Sequence, residues 1–168
     1  LRRELGEAGF KTGSGSETAL RLYARDGIAG FDKLRGMYAF AIHDVVDNQV
    51  ILCRDPFGIK QLYYVETPDY FAFASEPHAL IAAGLAGREL RSDVRAELLQ
   101  IQFGTGTHTI FDGINRLLPG ETLVLKNGRV VERRRRAVLS DEGVLGTSLE
   151  DALGEWDRVF EEAVRLHQ

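Results

Sequence analysis

Leu34-Arg35-Gly36-Met37-Tyr38-Ala39-Phe40-Ala41-Ile42-His43-Asp44, followed by Val50-Ile51-Leu52-Cys53-Arg54-Asp55-Pro56-Phe57-Gly58 and then Leu62-Tyr63-Tyr64-Val65 and Tyr70-Phe71-Ala72-Phe73-Ala74-Ser75, decides the fold. Its apolar runs, Met37 to Ile42, Val50 to Cys53, Leu62 to Val65 and Tyr70 to Ala74, have the length of strands and are too short for helices. Asp47-Asn48, Pro56-Phe57-Gly58 and Thr67-Pro68-Asp69 interrupt them with residues that favour turns. The pattern predicts antiparallel strands joined by short turns, laid out as a meander.

Downstream of this stretch, Ser75-Glu76-Pro77 predicts a helix start, because proline in the first turn loses no hydrogen bond, and Gly84 predicts its end. Ser92-Asp93-Val94-Arg95 predicts a further helix carrying Leu98, Leu99 and Ile101, closed by Gly104 and Gly106. Asn127-Gly128 between Glu121–Leu125 and Arg129–Arg133 is a hairpin signal, since both central residues of a type I′ turn need positive φ. Residues 140–146 read as a linker. The last helix, Ser148 to His167, carries Leu149, Ala152, Leu153, Trp156, Val159, Phe160, Ala163 and Val164 at spacings of three and four, an apolar stripe that requires burial.

Upstream, Leu1 to Gly9 reads as the end of a helix closed by glycine, and predicts that the native chain starts earlier. Ser14 with Glu17 fits a capping box, and the helix behind it places Ala19, Leu20 and Tyr23 on one face with Arg21 and Arg25 opposite. Gly13-Ser14-Gly15-Ser16 is readable as a simple turn into that helix or as a loop that lines a ligand pocket. The two readings are compatible, because a helix N-terminus attracts carboxylates. No Gly-Lys-Ser or Gly-Lys-Thr follows, so it is not a phosphate-binding Walker loop.

The 168 residues, 44% hydrophobic and 27% charged, can close one core. Basic and acidic residues nearly balance at a net charge of -4, which argues against nucleic acid and anionic membranes as partners. Arg133-Arg134-Arg135-Arg136 has no interleaved aromatic residues and reads as a solvated strand edge that blocks aggregation. Cys53, the single cysteine, excludes an internal disulfide, and no Cys/His cluster has the spacing of a metal site, so a cytoplasmic location is the default expectation. No apolar run is long enough to span a membrane, and no signal peptide opens the chain.

The motifs Leu34 to Asp44, Arg54-Asp55-Pro56-Phe57-Gly58-Ile59-Lys60-Gln61-Leu62-Tyr63-Tyr64 and Phe73-Ala74-Ser75-Glu76-Pro77-His78-Ala79-Leu80 occur in an order and spacing that resemble the class II glutamine amidotransferase domain of asparagine synthetases. The likeness is strong from about Phe10 to Leu80, weaker to Val131, and slight beyond. It implies an α+β fold: the αββα sandwich of N-terminal-nucleophile (Ntn) hydrolases, two antiparallel sheets with helices outside, here with the N-terminal strands missing. It divides the chain into residues 1–139, a partial amidotransferase domain, and residues 140–168, a linker and helix leading to an ATP-dependent synthetase domain. ATP and magnesium are expected in that domain, glutamine is the implied small-molecule substrate, and a homodimer is a further possibility.

The family's nucleophile is an N-terminal cysteine whose own α-amino group serves as base. Leu1 can do neither job, and Cys53 sits mid-strand without an amine or histidine partner, so no catalytic residue is assigned. The resemblance carries substrate binding to Ser14, Gly15 and Ser16. Gly15 stands where the family has the aspartate that holds the α-ammonium of glutamine, and Glu17, the next carboxylate, is expected to be engaged in capping. Two functions follow as alternatives: a glutamine-hydrolysing domain supplying ammonia for aspartate amidation, or a pseudo-amidotransferase scaffold in an amide-forming ligase of the β-lactam-synthetase kind. Arg54-Asp55-Pro56-Phe57-Gly58 is read as a structural turn rather than part of the nucleophile's surroundings, with Lys60 and Tyr63 as residues that could face a partner domain.

Overall fold

The computed structural model describes residues 1–6, 9–136 and 147–166. The first two apolar runs form β1 (Ala39–Asp44) and β2 (Gln49–Arg54), paired antiparallel from Ala39 opposite Arg54 to Asp44 opposite Gln49. The next two form β3 (Tyr63–Glu66) and β4 (Phe71–Ala74), also antiparallel. The hairpins do not continue one another. β2 is joined on its other side by β6 (Glu121–Lys126), which pairs with β7 (Arg129–Arg135), and β3 is joined by the short β5 (Asn115–Arg116). The sheets run β1-β2-β6-β7 and β4-β3-β5, so the expected single meander is two hairpins on separate sheets. Alternation marks which residues face inward; it carries no information on which sheet a hairpin joins.

Side-chain parity turns those strands into layers. In β2, Ile51 and Cys53 face a cluster with Ala19, Leu22 and Phe31, while Leu52 and Val50 face Leu62, Tyr64, Leu117, Leu123 and Leu125. In β3, Tyr64 joins that middle cluster and Val65 points the other way, onto Leu80, Ile81 and Ile114. The order is therefore helix, sheet, sheet, helix, the α+β sandwich of two antiparallel sheets implied by the resemblance. Leu52, Leu117 and Leu123 are fully buried in its middle layer, where trimming a leucine to alanine costs about 2–5 kcal/mol.

The outer helices obey the same logic with two departures from expectation. α1 (Gly15–Asp26) buries Thr18, Ala19 and Leu22 against the first sheet, whereas Leu20 is 52% exposed, so the apolar stripe lies one position away from that expected. A 3₁₀ segment, Gly27–Lys33, folds back on it so closely that a Cβ at Gly30 would sit 2.9 Å from Leu22 Cγ. α2 (Pro77–Ala82) begins on proline and buries Leu80 and Ile81. α3 (Ser92–Ile101) stops earlier than its glycines suggested: Gln102 takes the left-handed conformation at φ 64 and ends the helix, which buries Val94 and leaves Leu99 exposed. Near the start, a single turn (Leu5 N to Leu1 O, 3.0 Å) closed by Gly6 at φ 83 replaces a helix reaching Gly9.

The chain changes sheet twice, between Arg54 and Leu62 and between Arg116 and Glu121, and the two crossings are bonded to each other. Gly120 N donates to Asp55 O at 2.9 Å, Leu117 N donates to Leu62 O at 2.8 Å, and Arg54 Nη1 donates to Leu117 O. The Asn127-Gly128 turn has φ 51 and 71, as a type I′ hairpin requires.

Leu139–Gln168 is a separate compact unit from Leu1–Val138. Within it α4 (Leu149–Leu166) is capped by Ser148, whose Oγ accepts from Asp151 N at 3.1 Å. Trp156 and Phe160 stack on one face, and Arg158 pairs with Glu155 and Glu162 on another. The expected linker at 140–146 lies outside the described residues.

Candidate functional site

Ser14, Gly15 and Ser16 are brought together at the N-terminus of α1, all exposed. Ser14 is the cap, its Oγ accepting from Ser16 N at 3.2 Å. Gly15 is the first helical residue, and a Cβ built on it would meet nothing within 4 Å. A larger residue there would thus extend into open space.

The expected capping box takes a different form. Glu17 reaches past the cap to the segment before it, where its carboxylate accepts from Lys11 N at 2.8 Å, Thr12 N at 2.7 Å and Thr12 Oγ1 at 2.8 Å, and pairs with Arg21 Nε at 3.0 Å. These bonds, the Lys11 amide foremost, hold its pKa at about 2 against an ordinary 4.5. Glu17 is consequently committed to shaping the loop and is not available as the counter-ion that Gly15 lacks.

A second support was invisible in the sequence. Arg2 Nη2 donates to Thr12 O at 2.6 Å, and the guanidiniums of Arg2 and Arg21 lie 4.1 Å and 4.7 Å from the centre of the Phe10 ring. A cation over an aromatic face contributes about 0.5–1 kcal/mol at an exposed site. No local pattern announces a contact between Arg2 and a loop ten residues on.

Arg54 and Asp55 are buried, at 4% and 0% exposure, and both serve the loop that follows them. Arg54 donates to Lys60 O at 2.7 Å, Gly58 O at 2.5 Å, Gln61 Oε1 at 2.7 Å and Leu117 O. Asp55 accepts from Phe57 N at 3.2 Å, Ile59 N at 3.0 Å and Lys60 N at 2.9 Å. Gly58 is required twice over: φ is 64, and a Cβ would lie 2.8 Å from Pro119 Cγ and 3.0 Å from Arg54 Cζ. The structural reading of this motif agrees with that geometry. Lys60 is exposed, while Tyr63 packs in the cluster of Val65, Leu80 and Ile114.

Cys53 is 3% exposed with Thr122 Oγ1 donating to its sulfur at 3.3 Å, and burial pushes its thiol up to about 11. A thiol so disfavoured as thiolate is a core residue and a poor nucleophile. Arg133 to Arg136 lie on or just beyond the edge strand β7 but are not merely solvated: Arg133 reaches Tyr64 Oη at 3.2 Å and Glu66 at 3.2 Å, Arg134 pairs with Asp32, Arg135 donates to Pro119 O and Arg136 to Leu34 O. Among the described residues no group of three acidic, histidine or cysteine side chains could hold a metal, and no helix is long and apolar enough to cross a membrane.

A cleft of about 220 Å³ opens between the sheets at the end away from the crossings, lined by Val50, Phe71, Phe73 and Leu125 with His43 and Asn127 at its polar side. Ser14, Gly15 and Ser16 take no part in it.

The family described as "Glutamine amidotransferase domain" matches residues 1–135. Asparagine synthetase [glutamine-hydrolyzing] 1 of Bacillus subtilis is 34% identical over 128 residues, covering 75% of this chain and 20% of that protein. Putative asparagine synthetase [glutamine-hydrolyzing] 1 of Methanocaldococcus jannaschii is 48% identical over 71 residues, 42% of this chain and 13% of that protein. The chain thus spans a fifth or less of the length of these relatives. Among solved structures, glutamine phosphoribosylpyrophosphate amidotransferase from B. subtilis superposes with a TM-score of 0.54 at 21% identity, over 80% of this chain and 25% of that one, a likeness of fold.

Proposed function

The chain belongs to the glutamine amidotransferase domain family, and from that premise we propose that it is the glutamine-handling part of an asparagine-synthetase-type enzyme. In this reading glutamine is hydrolysed to glutamate and ammonia, and the ammonia amidates aspartate in an ATP-using domain to which residues 140–168 lead. ATP and magnesium belong to that domain. The observation that carries the proposal is the match over residues 1–135 together with relatives whose names specify glutamine hydrolysis. The core of the matching motifs, Arg54 to Gln61, is built as a fully hydrogen-bonded turn, in keeping with a sequence held to the family pattern. Cytoplasmic location is part of the same proposal.

Within it, Ser14, Gly15 and Ser16 at the N-terminus of α1 form the substrate-facing loop, where the helix end suits the carboxylate of glutamine. Cys53 has no part in attack on the carboxamide. The test is an assay of the purified native gene product with glutamine, aspartate and ATP. Glutamate and asparagine should appear together; release of neither would sink the reading.

A second reading is favoured by one residue. With glycine at position 15 and Glu17 already saturated by Lys11, Thr12 and Arg21, no carboxylate of this loop remains for the ammonium of glutamine. The domain would then serve as a scaffold in an amide-forming ligase and hydrolyse no glutamine. Gly15→Asp separates the two: restoring a charge-assisted bond of ~1.5–3 kcal/mol should tighten glutamine binding about ten- to a hundredfold by calorimetry if the loop is a glutamine site. Unchanged affinity would favour the scaffold.

A further inference from the structure

Among the described residues β4 pairs on one side only, with β3. Its sequence with the residue before it, Tyr70-Phe71-Ala72-Phe73-Ala74, carries no charge and no proline, and Phe73 is 42% exposed. Such an edge offers a row of backbone donors and acceptors with nothing to repel a second strand. We propose that β4 pairs antiparallel with β4 of a second copy of this chain about a two-fold axis through Ala72, forming a continuous sheet across a dimer.

The sequence is self-complementary in that register. Rotation about Ala72 sets Phe71 opposite the partner's Phe73, Phe73 opposite the partner's Phe71, and Ala72 opposite its own copy, so two aromatic cross-strand pairs form and no side chain meets a like charge. Hydrogen-bond parity selects the same register. Thr67 N donates to Tyr70 O at 2.9 Å across the β3–β4 turn, so alternation along the ladder directs the bonds of Ala72 and Ala74 inward to β3. The backbone groups of Phe71 and Phe73 are left on the outer edge, and these are the residues that face each other across the axis. Each Phe71–Phe73 pair can thus exchange both of its bonds.

The cleft adds a third argument. Phe71 and Phe73 line its apolar wall with Val50 and Leu125. A two-fold axis normal to the sheets turns the clefts of the two copies toward each other, so the phenylalanine pairs close both openings at once. The opposite edge cannot do this, because β7 presents Arg133, Arg134 and Arg135.

Sedimentation equilibrium of the chain from low to high micromolar concentration tests the proposal. The wild type should show a monomer–dimer equilibrium. Phe73→Lys should raise the dissociation constant at least about tenfold, and Val131→Lys, on the β7 edge, should leave it unchanged. Amide hydrogen exchange at Phe71 and Phe73 should slow with concentration, and this readout on the wild type decides the matter alone if Phe73→Lys fails to fold. A strict monomer overturns the proposal. So does a dimer that survives Phe73→Lys and is lost in Trp156→Lys, which would move association to α4. Protection of the Phe71 and Phe73 amides in the monomer would also overturn it, because the edge would then be covered by the chain itself.

Discussion

Two loops of this protein hold the same kinds of residue to opposite ends. In Arg54 to Gln61 an arginine and an aspartate are withdrawn from water and spend their polar atoms on backbone groups of their own turn. In Lys11 to Ser16 a glutamate does comparable work from the surface, and the residues at the tip, Ser14 to Ser16, stand in the open. The glycines sharpen the contrast: Gly58 has no room for a Cβ, and Gly15 has nothing near one. One loop is an internal support whose sequence tolerates little. The other is a presentation surface, shaped from behind and free to vary in front, which is why a departure from the family's residue could be accommodated at Gly15.

The contrast breaks most readily at Arg54. Arg54→Met leaves the carbonyls of Lys60, Gly58 and Leu117 without their donor and should cost about 3–5 kcal/mol in urea unfolding, comparable to removing one partner of a buried charge pair. A loss below about 1 kcal/mol would mean that the loop is not supported from within. Gly58→Ala comes next, at about 1–3 kcal/mol by the same measurement, since alanine must hold positive φ while displacing Pro119 or the Arg54 head.

Glu17→Gln should be milder and visible in its pH dependence. The folded pKa of about 2 lies below the ordinary 4.5, so the stabilisation is complete above pH 4.5 and disappears as pH falls toward 2. Unfolding free energies of the variant should therefore fall less steeply over that window than those of the wild type. An identical acid limb would show that the loop bonds do not persist in solution. The smallest effect belongs to Gly15→Asp, which should leave thermal stability unchanged or raise it by about 0.3–1 kcal/mol through the favourable charge at a helix N-terminus.

Much of the scaffold was legible because it depends on local chemistry. Asn127-Gly128 specifies a turn by positive φ at both residues, Pro77 marks a helix start, and the four apolar runs have strand length and strand punctuation. What escaped was non-local. Whether two hairpins share a sheet is decided by what covers their faces, and Leu20 and Leu22 were both eligible for the helix interface until Phe31 and Gly30 folded onto one side. A buried Arg54 contradicts the usual preference of arginine for water, and only the converging carbonyls of Gly58, Lys60 and Leu117 explain it. For the candidate site, the sequence indicated the loop and the missing acid; it was silent on Arg2 and on the way Glu17 is consumed.

The mutual bonding of the two sheet crossings makes the sandwich mechanically lopsided. Its layers are riveted where Asp55 meets Gly120 and Arg54 meets Leu117, and held elsewhere by apolar contact, which resists separation but is indifferent to direction. Thermal opening should grow along the strands like the gape of a clothes-peg, smallest beside Cys53 and largest toward Gln49 and Lys126. Local looseness is thus assigned to one mouth of the molecule by where the chain passes between its halves.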